Sequence, residues 1–173
     1  MANTTFDGPV RSKNGFINIG PGMTKSLSAD TVLTVQEHAG RILLLNDADG
    51  KFTLPAINVN ADSAVAGPGS DPNNLNNIGA SFYFYIETAA TDLDIKTNGT
   101  DKFTGAVMLA VDDGAKKAFV PAAANDVMTF DGGTAGGLVG SVVQVTAVDT
   151  NNYLVHNSLV IATGTIVTPF ANA

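Results

Sequence analysis

No stretch of ten or more residues in this chain repeats apolar side chains at the helical period of about 3.6 with capping residues at its ends. Strands are therefore the expected regular elements. Turn chemistry cuts the sequence into roughly eight to ten short β-type segments, the spacing of an all-β, antiparallel sandwich or barrel-like domain. The most constraining segment runs from Gly40 to Pro55. Arg41 to Asn46 and Lys51 to Leu54 read as the two arms of a β-hairpin. Asp47-Ala48-Asp49-Gly50 supplies its turn, with Gly50 as the residue suited to positive φ, and Pro55 ends the second arm because it has no N–H to donate. The run Ile42-Leu43-Leu44-Leu45 is continuous rather than alternating, which predicts a strand covered on both faces, as at the centre of a sandwich or at an interface between subunits, and a hairpin around which later strands pack.

Residues 1–22 carry Gly and Pro too often for a helix or a long strand, and Phe6, Val10, Phe16, Ile17 and Ile19 punctuate an otherwise polar arm. Such a segment suits lying extended across another surface, or packing as a terminus on its own domain. Residues 23–173 are expected to form one domain, long enough to bury roughly 70% of the surface of the unfolded chain. Within it, Thr31 to Val35 reads as a short strand followed by a turn through Gly40. Asn58 to Gly79, centred on Gly67-Pro68-Gly69-Ser70-Asp71-Pro72, reads as a long surface loop.

Ser81 to Glu87 is the strongest strand signal. The two-residue period puts Phe82, Phe84 and Ile86 on one face and Tyr83 and Tyr85 on the other, where the tyrosines suit a core rim or a self-association surface. Asp92 to Thr97 alternates and is turned by Asn98-Gly99. Thr104 to Val111, Lys116 to Val120 and Asp126 to Phe130 follow as strands, then a glycine-rich loop from Asp131 to Gly140. Ser141 to Val148 and Tyr153 to Val155 form a hairpin around Asp149-Thr150-Asn151-Asn152, and Leu159 to Ile166 is a last strand before Pro169.

Composition narrows the partners. The net charge is −7, and the nine Lys and Arg are scattered, whereas phosphate-backbone binding needs clustered cations. Nucleic acid is not an expected partner. Only 14% of residues are charged, against about 25% in ordinary soluble domains, which favours a chain that hides surface in an assembly. No apolar run approaches the ~20 residues of a membrane helix, so no membrane partner is expected. The first residues lack the pattern of a signal peptide, and the absence of Cys fits synthesis in a reducing cytoplasm.

Catalytic chemistry has no visible carrier, and neither cofactor nor metal is expected. His38 and His156 read as lone turn or surface histidines. Asp47 to Gly50 resembles the start of a calcium loop, but the later ligands do not follow at the required spacing. Asp92 and Asp94 share a strand face, and Asp112 and Asp113 share a turn, as solvated carboxylates commonly do. Neither a Gly-x-Ser-x-Gly elbow nor a phosphate-binding glycine loop is present.

Met1 to Phe16 (Met-Ala-Asn-Thr-Thr-Phe-Asp-Gly-Pro-Val-Arg-Ser-Lys-Asn-Gly-Phe) resembles the start of small virion structural proteins of marine tailed bacteriophages. The blocks Leu33 to Pro55, Ser81 to Ile86 and Gly137 to Val155 are similar to β-rich domains of phage head and tail proteins. The resemblance implies a decoration (cement) protein on the capsid surface of the virion, bound to the major capsid protein, often as a homotrimer and without enzymatic activity. It would place the arm along the shell, with Phe6, Val10, Arg11, Phe16, Ile17 and Ile19 as capsid contacts and Tyr83 and Tyr85 in self-association. A tail or fibre domain that binds host glycans, through the Asn58 to Gly79 loop or the two tyrosines, is the competing expectation. A hydrolase built on Asp92 and Asp94 is a third.

Overall fold

The computed structural model describes residues 21–59, 77–112 and 114–172. Phe6, Val10, Arg11, Phe16, Ile17 and Ile19 of the expected arm, residues 60–76 of the expected loop, and Asp113 lie outside the described residues. The rest is mostly strand, in two mixed sheets. A 3-10 turn, Pro21–Met23, leads into β1 (Thr24–Leu27), β2 (Thr31–Val32), the single-turn helix α1 (Val35–His38), β3 (Ile42–Leu45), β4 (Lys51–Thr53), β5 (Ser81–Ile86) and β6 (Leu93–Lys96). There follow β7 (Lys102–Gly105), β8 (Val107–Val111), β9 (Lys116–Phe119), β10 (Val127–Phe130), β11 (Val142–Ala147), β12 (Asn152–Ala162) and β13 (Phe170–Ala171).

The eight-stranded sheet has the order β1-β3-β5-β11-β12-β8-β9, with β7 pairing to the first half of β12; the five-stranded sheet has the order β13-β10-β6-β4-β2. From β1 to β6 the chain alternates between the sheets, one strand in each. Strands β1, β3 and β5 therefore run parallel to one another, and so do β2, β4 and β6. The C-terminal strands close this arrangement: β11 pairs antiparallel with β5, and β10 pairs antiparallel with β6.

This topology overturns the central hairpin. Strands β3 and β4 lie in different sheets, and the Asp47 to Gly50 corner carries the chain from one to the other. Its backbone bonds go to the next corner instead of across a hairpin: Thr91 N–H donates to Ala48 O at 2.7 Å and Glu87 N–H to Leu45 O at 3.0 Å. Gly50 is absent from the positive-φ glycines. It is needed for space, because a Cβ there would come within 2.7 Å of the Phe52 ring. The all-antiparallel expectation fails for the same reason, since strands that change sheet at each corner meet their neighbours in parallel.

Other boundaries move for local reasons. Thr34 caps α1, its hydroxyl accepting the Glu37 N–H at 3.3 Å, so the expected strand stops at Val32 and the expected turn is helical. The strand read as Thr104 to Val111 is broken at Gly105, whose φ is +91° and where a Cβ would collide with the Val155 carbonyl. Across from it, β12 bends at Asn157, the one non-glycine among the described residues with positive φ (44°), and continues where two separate strands were expected. Beyond Pro169, β13 adds an edge strand that the sequence reading did not contain.

The expected hairpin of β11 and β12 is present, pairing Ala147 with Tyr153. Asp149 holds its turn by accepting from the backbone N–H groups of Asn151 and Asn152, both at 2.9 Å. Inward residues of both sheets form one apolar cluster. Leu43, Leu45, Phe82, Phe84, Val145 and Tyr153 enter it from one sheet, Phe52, Leu93, Ile95, Met128 and Phe130 from the other. The Tyr153 hydroxyl donates to Pro55 O at 2.7 Å, and burial, with the nearby Asp101 charge, pushes its phenol well above the usual value.

Candidate interaction face

The period of two leaves the other face of the eight-stranded sheet outside the core. On β3, Leu43 and Leu45 are fully buried while Ile42 and Leu44 are half-exposed, so the four-residue apolar run is covered on one face only. On β5 the burial alternates as the sequence predicts, leaving Tyr83 and Tyr85 outward. Register aligns these residues into rows across strands. Thr24, Ile42, Tyr83, Gln144 and His156 form one row; Ser26, Leu44, Tyr85, Val142 and Leu159 form the next. Leu159 is 50% exposed. Ile42, Leu44, Tyr83, Tyr85, Val142 and Leu159 thus make a continuous apolar stretch on an outer surface.

A hydrogen-bonded polar group sits beside it. Gln144 Nε2 and Thr146 Oγ1 both donate to Ser81 Oγ, at 2.7 and 2.9 Å, His156 Nε2 lies 2.8 Å from Thr146 Oγ1, and Asn157 Nδ2 donates to Gln144 Oε1 at 2.8 Å. These bonds satisfy one another within the face and fix the rotamers around Tyr83. At the end where β3 and β5 begin, a groove of about 400 Å³ is lined by Gly40, Arg41, Ile42, Ser81, Tyr83 and Gln144. Arg41 has no ion pair among the described residues.

The remaining sequence candidates lie elsewhere. Asp92 and Asp94 do share a face, but Lys51 Nζ bridges them at 2.9 and 3.1 Å. Burial alone would lower the Lys51 amine, and the two carboxylates override it and hold it above the usual lysine range. This is a surface ion-pair network joining β4 to β6. His38 is buried, 5% exposed, at the end of α1 and bonded to the Thr34 backbone, so it is a structural rather than a surface histidine. Burial first, then repulsion from Lys25 and Arg41, keeps its imidazole below the ordinary value, against the Thr34 bond and Glu37. Asp47 is raised by burial and by its neighbour Asp49. Among the described residues, no three His, Cys, Asp or Glu side chains group to hold a metal ion.

The ends of the long loop are tied. Asn77 Oδ1 accepts the Asn58 N–H at 2.9 Å, and Asn77 Nδ2 donates to Ala56 O at 2.7 Å. In the glycine-rich loop, Asp131 accepts from the N–H groups of Gly133 and Ala135, both at 2.8 Å, and from the Thr134 hydroxyl at 2.9 Å. Burial opposes ionisation there, but these donors outweigh it and hold the carboxyl below its usual value. Sequence reasoning put Tyr83 and Tyr85 on one face and left the Ile42 to Leu45 run between the centre of a sandwich and an interface between subunits, but it did not align Val142 and Leu159 with them, because register between distant strands is set in the fold. No family model, curated protein or solved structure matches this chain.

Proposed function

We propose that this chain is a non-catalytic structural protein of a virus particle, decorating the outside of a tailed-phage head and bridging neighbouring shell subunits as a homotrimer. In this reading the two sheets are the halves of a sandwich, and residues 1–22 are an extended arm that meets the major capsid protein. The observation that carries it is the row-aligned apolar outer face, with Tyr83 and Tyr85 at its centre. A chain with so few charges that leaves this much apolar side-chain surface outward gains free energy by covering it in an assembly. A protein that binds only the assembled shell stabilises that shell by linkage, and a trimer multiplies its attachment points. An acidic chain also avoids nucleic acid.

Copy number tests the reading. Mass spectrometry of purified particles should find this chain at levels comparable to the major shell protein; its absence from particles overturns the proposal. The groove beside Arg41, which has no ion pair among the described residues, favours a second reading, a host-glycan-binding fibre domain in which Tyr83 stacks on a sugar and Arg41 meets an acidic group. A handful of copies per particle, with loss of glycan binding in Arg41→Ala, would select that reading instead.

A further inference from the structure

The two sheets turn unlike faces outward. On the five-stranded sheet the outward rows carry charge: Lys51, Asp94 and Thr129 are in register, as are Thr53 and Lys96, and Lys51 is paired with both Asp92 and Asp94. On the eight-stranded sheet the rows through Tyr83 and Tyr85 cross five strands without a Lys, Arg, Asp or Glu. We propose that this second face pairs with the same face of a second copy, across a two-fold axis that sets Arg41 of each copy against Glu87 of the other. The pairing rests on the reading of the outer face as an association surface and says what occupies it in the free chain; threefold contacts made on the shell fall to other surfaces.

Self-complementarity is the first argument. Ile42 is in register with Tyr83, so Arg41 stands level with Phe82, at the end of the face where the groove opens. The alternation that turns Tyr83 and Tyr85 outward puts Glu87, an exposed residue, one row beyond Tyr85 at the opposite end. Five residues of strand, about 17 Å, separate the two levels. A two-fold axis running across the strands at the midpoint reverses one copy on the other, and the contact of Arg41 with Glu87 then forms twice. The axis passes between the rows of Tyr83 and Tyr85, so Tyr83 of one copy lies over Tyr85 of the other. Stacked sheets pack about 10 Å apart, a gap that arginine and glutamate side chains reaching from opposite faces close.

Both charges are open to such a contact. Neither Arg41 nor Glu87 has an ion pair among the described residues, and Glu37, which feels the Arg41 charge, is held by Lys25 at 2.8 Å. Charge also selects the face. The chain carries a net charge of −7, so two copies repel through most of their surface, and rows without Asp or Glu are where they can approach. Covering the polar group costs little, because Gln144, Thr146, Ser81 and His156 bond one another within the face and keep those bonds. The area is sufficient. With strands about 4.8 Å apart and outward residues about 6.8 Å apart along each, the rows through Ser81, Tyr83 and Tyr85 cover about 500 Å² in plan. Two copies then bury about 1,000 Å², where specific interfaces begin.

Charge reversal in the purified full chain, without shells, tests the pairing. Sedimentation velocity of the unsubstituted chain should show a species of two chains that dissociates on dilution. Arg41→Glu and Glu87→Arg should each weaken it at least about tenfold, since like charges then meet at both ends of the interface. An equimolar mixture of the two variants should recover the pair, because the substituted ends meet as opposite charges and so do the native ends. Recovery also shows that both variants are folded. A chain that stays monomeric, a species of three chains, variants that leave the pair unchanged, or weakened variants with unaltered circular dichroism that fail to rescue each other all overturn the pairing. Tyr85→Trp gives an independent readout, since the chain has no Trp. Its emission should shift to the blue as concentration rises through the association, and a constant spectrum overturns burial of the face by a second copy. Both measurements use the free chain, so their failure is separate from failure of the decoration reading, which copy number in particles decides.

Discussion

Strands β1 to β6 and strands β8 to β12 solve the same problem in opposite ways. Within the first region strands pair with one another one full circuit later, parallel and far along the chain: Ile42 pairs with Tyr83, and Phe52 with Ile95. In the second, tight turns pair neighbours directly, β8 with β9 and β11 with β12. The parallel region therefore depends on corners that stack and on a core that two sheets share. The two antiparallel hairpins of the second region depend on single turns that close one ladder each. A stabilising residue should behave differently according to which region holds it.

The largest effect is expected in the shared core of the parallel region. Phe52→Ala empties a fully buried site between β4 and the other sheet and should cost about 3–5 kcal/mol, read by urea unfolding. A loss below about 1 kcal/mol would mean that β4 is not held by the core, and the contrast between the regions would break. Gly105→Ala comes next. It forces a side chain at positive φ against the Val155 carbonyl where β7 runs alongside β12, and should cost roughly 3 kcal/mol in the same assay.

A paired substitution sharpens the comparison most directly. Asp149→Ala removes the acceptor that closes the β11–β12 turn and should cost about 1 kcal/mol, while Asp47→Asn, in a corner that closes no ladder, should be neutral or slightly stabilising because it relieves the repulsion with Asp49. Equal losses would show that the two turns do the same job. The smallest effect concerns pH. The folded His38 imidazole lies below its ordinary value of 6.5, so as pH falls below that value the unfolded chain takes up the proton first. Stability should be full above pH 6.5 and decline as the pH falls toward the folded value, and His38→Gln should remove that part of the decline. An unchanged profile in His38→Gln would show that the ring is not the source.

Wherever the sequence reading used the two-residue period, the residues carried the answer. Phe82, Phe84 and Ile86 are inward and Tyr83 and Tyr85 outward, and Leu93, Ile95 and Thr97 are buried while Asp94 and Lys96 are half-exposed. The turns at Asn98-Gly99 and Asp149 to Asn152 were legible because Asx side chains bond the backbone two or three residues on, whatever lies beyond. Two of the six residues of the candidate face, Tyr83 and Tyr85, were visible in the same way. Ile42 and Leu44 were left open, because Ile42-Leu43-Leu44-Leu45 looks the same whether its second face meets a core or the outside, and Val142 and Leu159 join them only through the register of distant strands.

Sequence by itself determined that this chain builds strands, where most of them lie and which side chains share a face, because backbone sterics and side-chain alternation act within a few residues. Apart from the β11–β12 hairpin, which strand pairs with which was decided only in the tertiary structure. The corner from Asp47 to Gly50 has the composition of a hairpin turn, yet Gly50 packs against Phe52, and the backbone of the corner bonds to the corner that follows it more than forty residues later. That choice depends on burying Phe52 and Leu45 in one core from two sheets, a free energy that exists only once distant segments have come together.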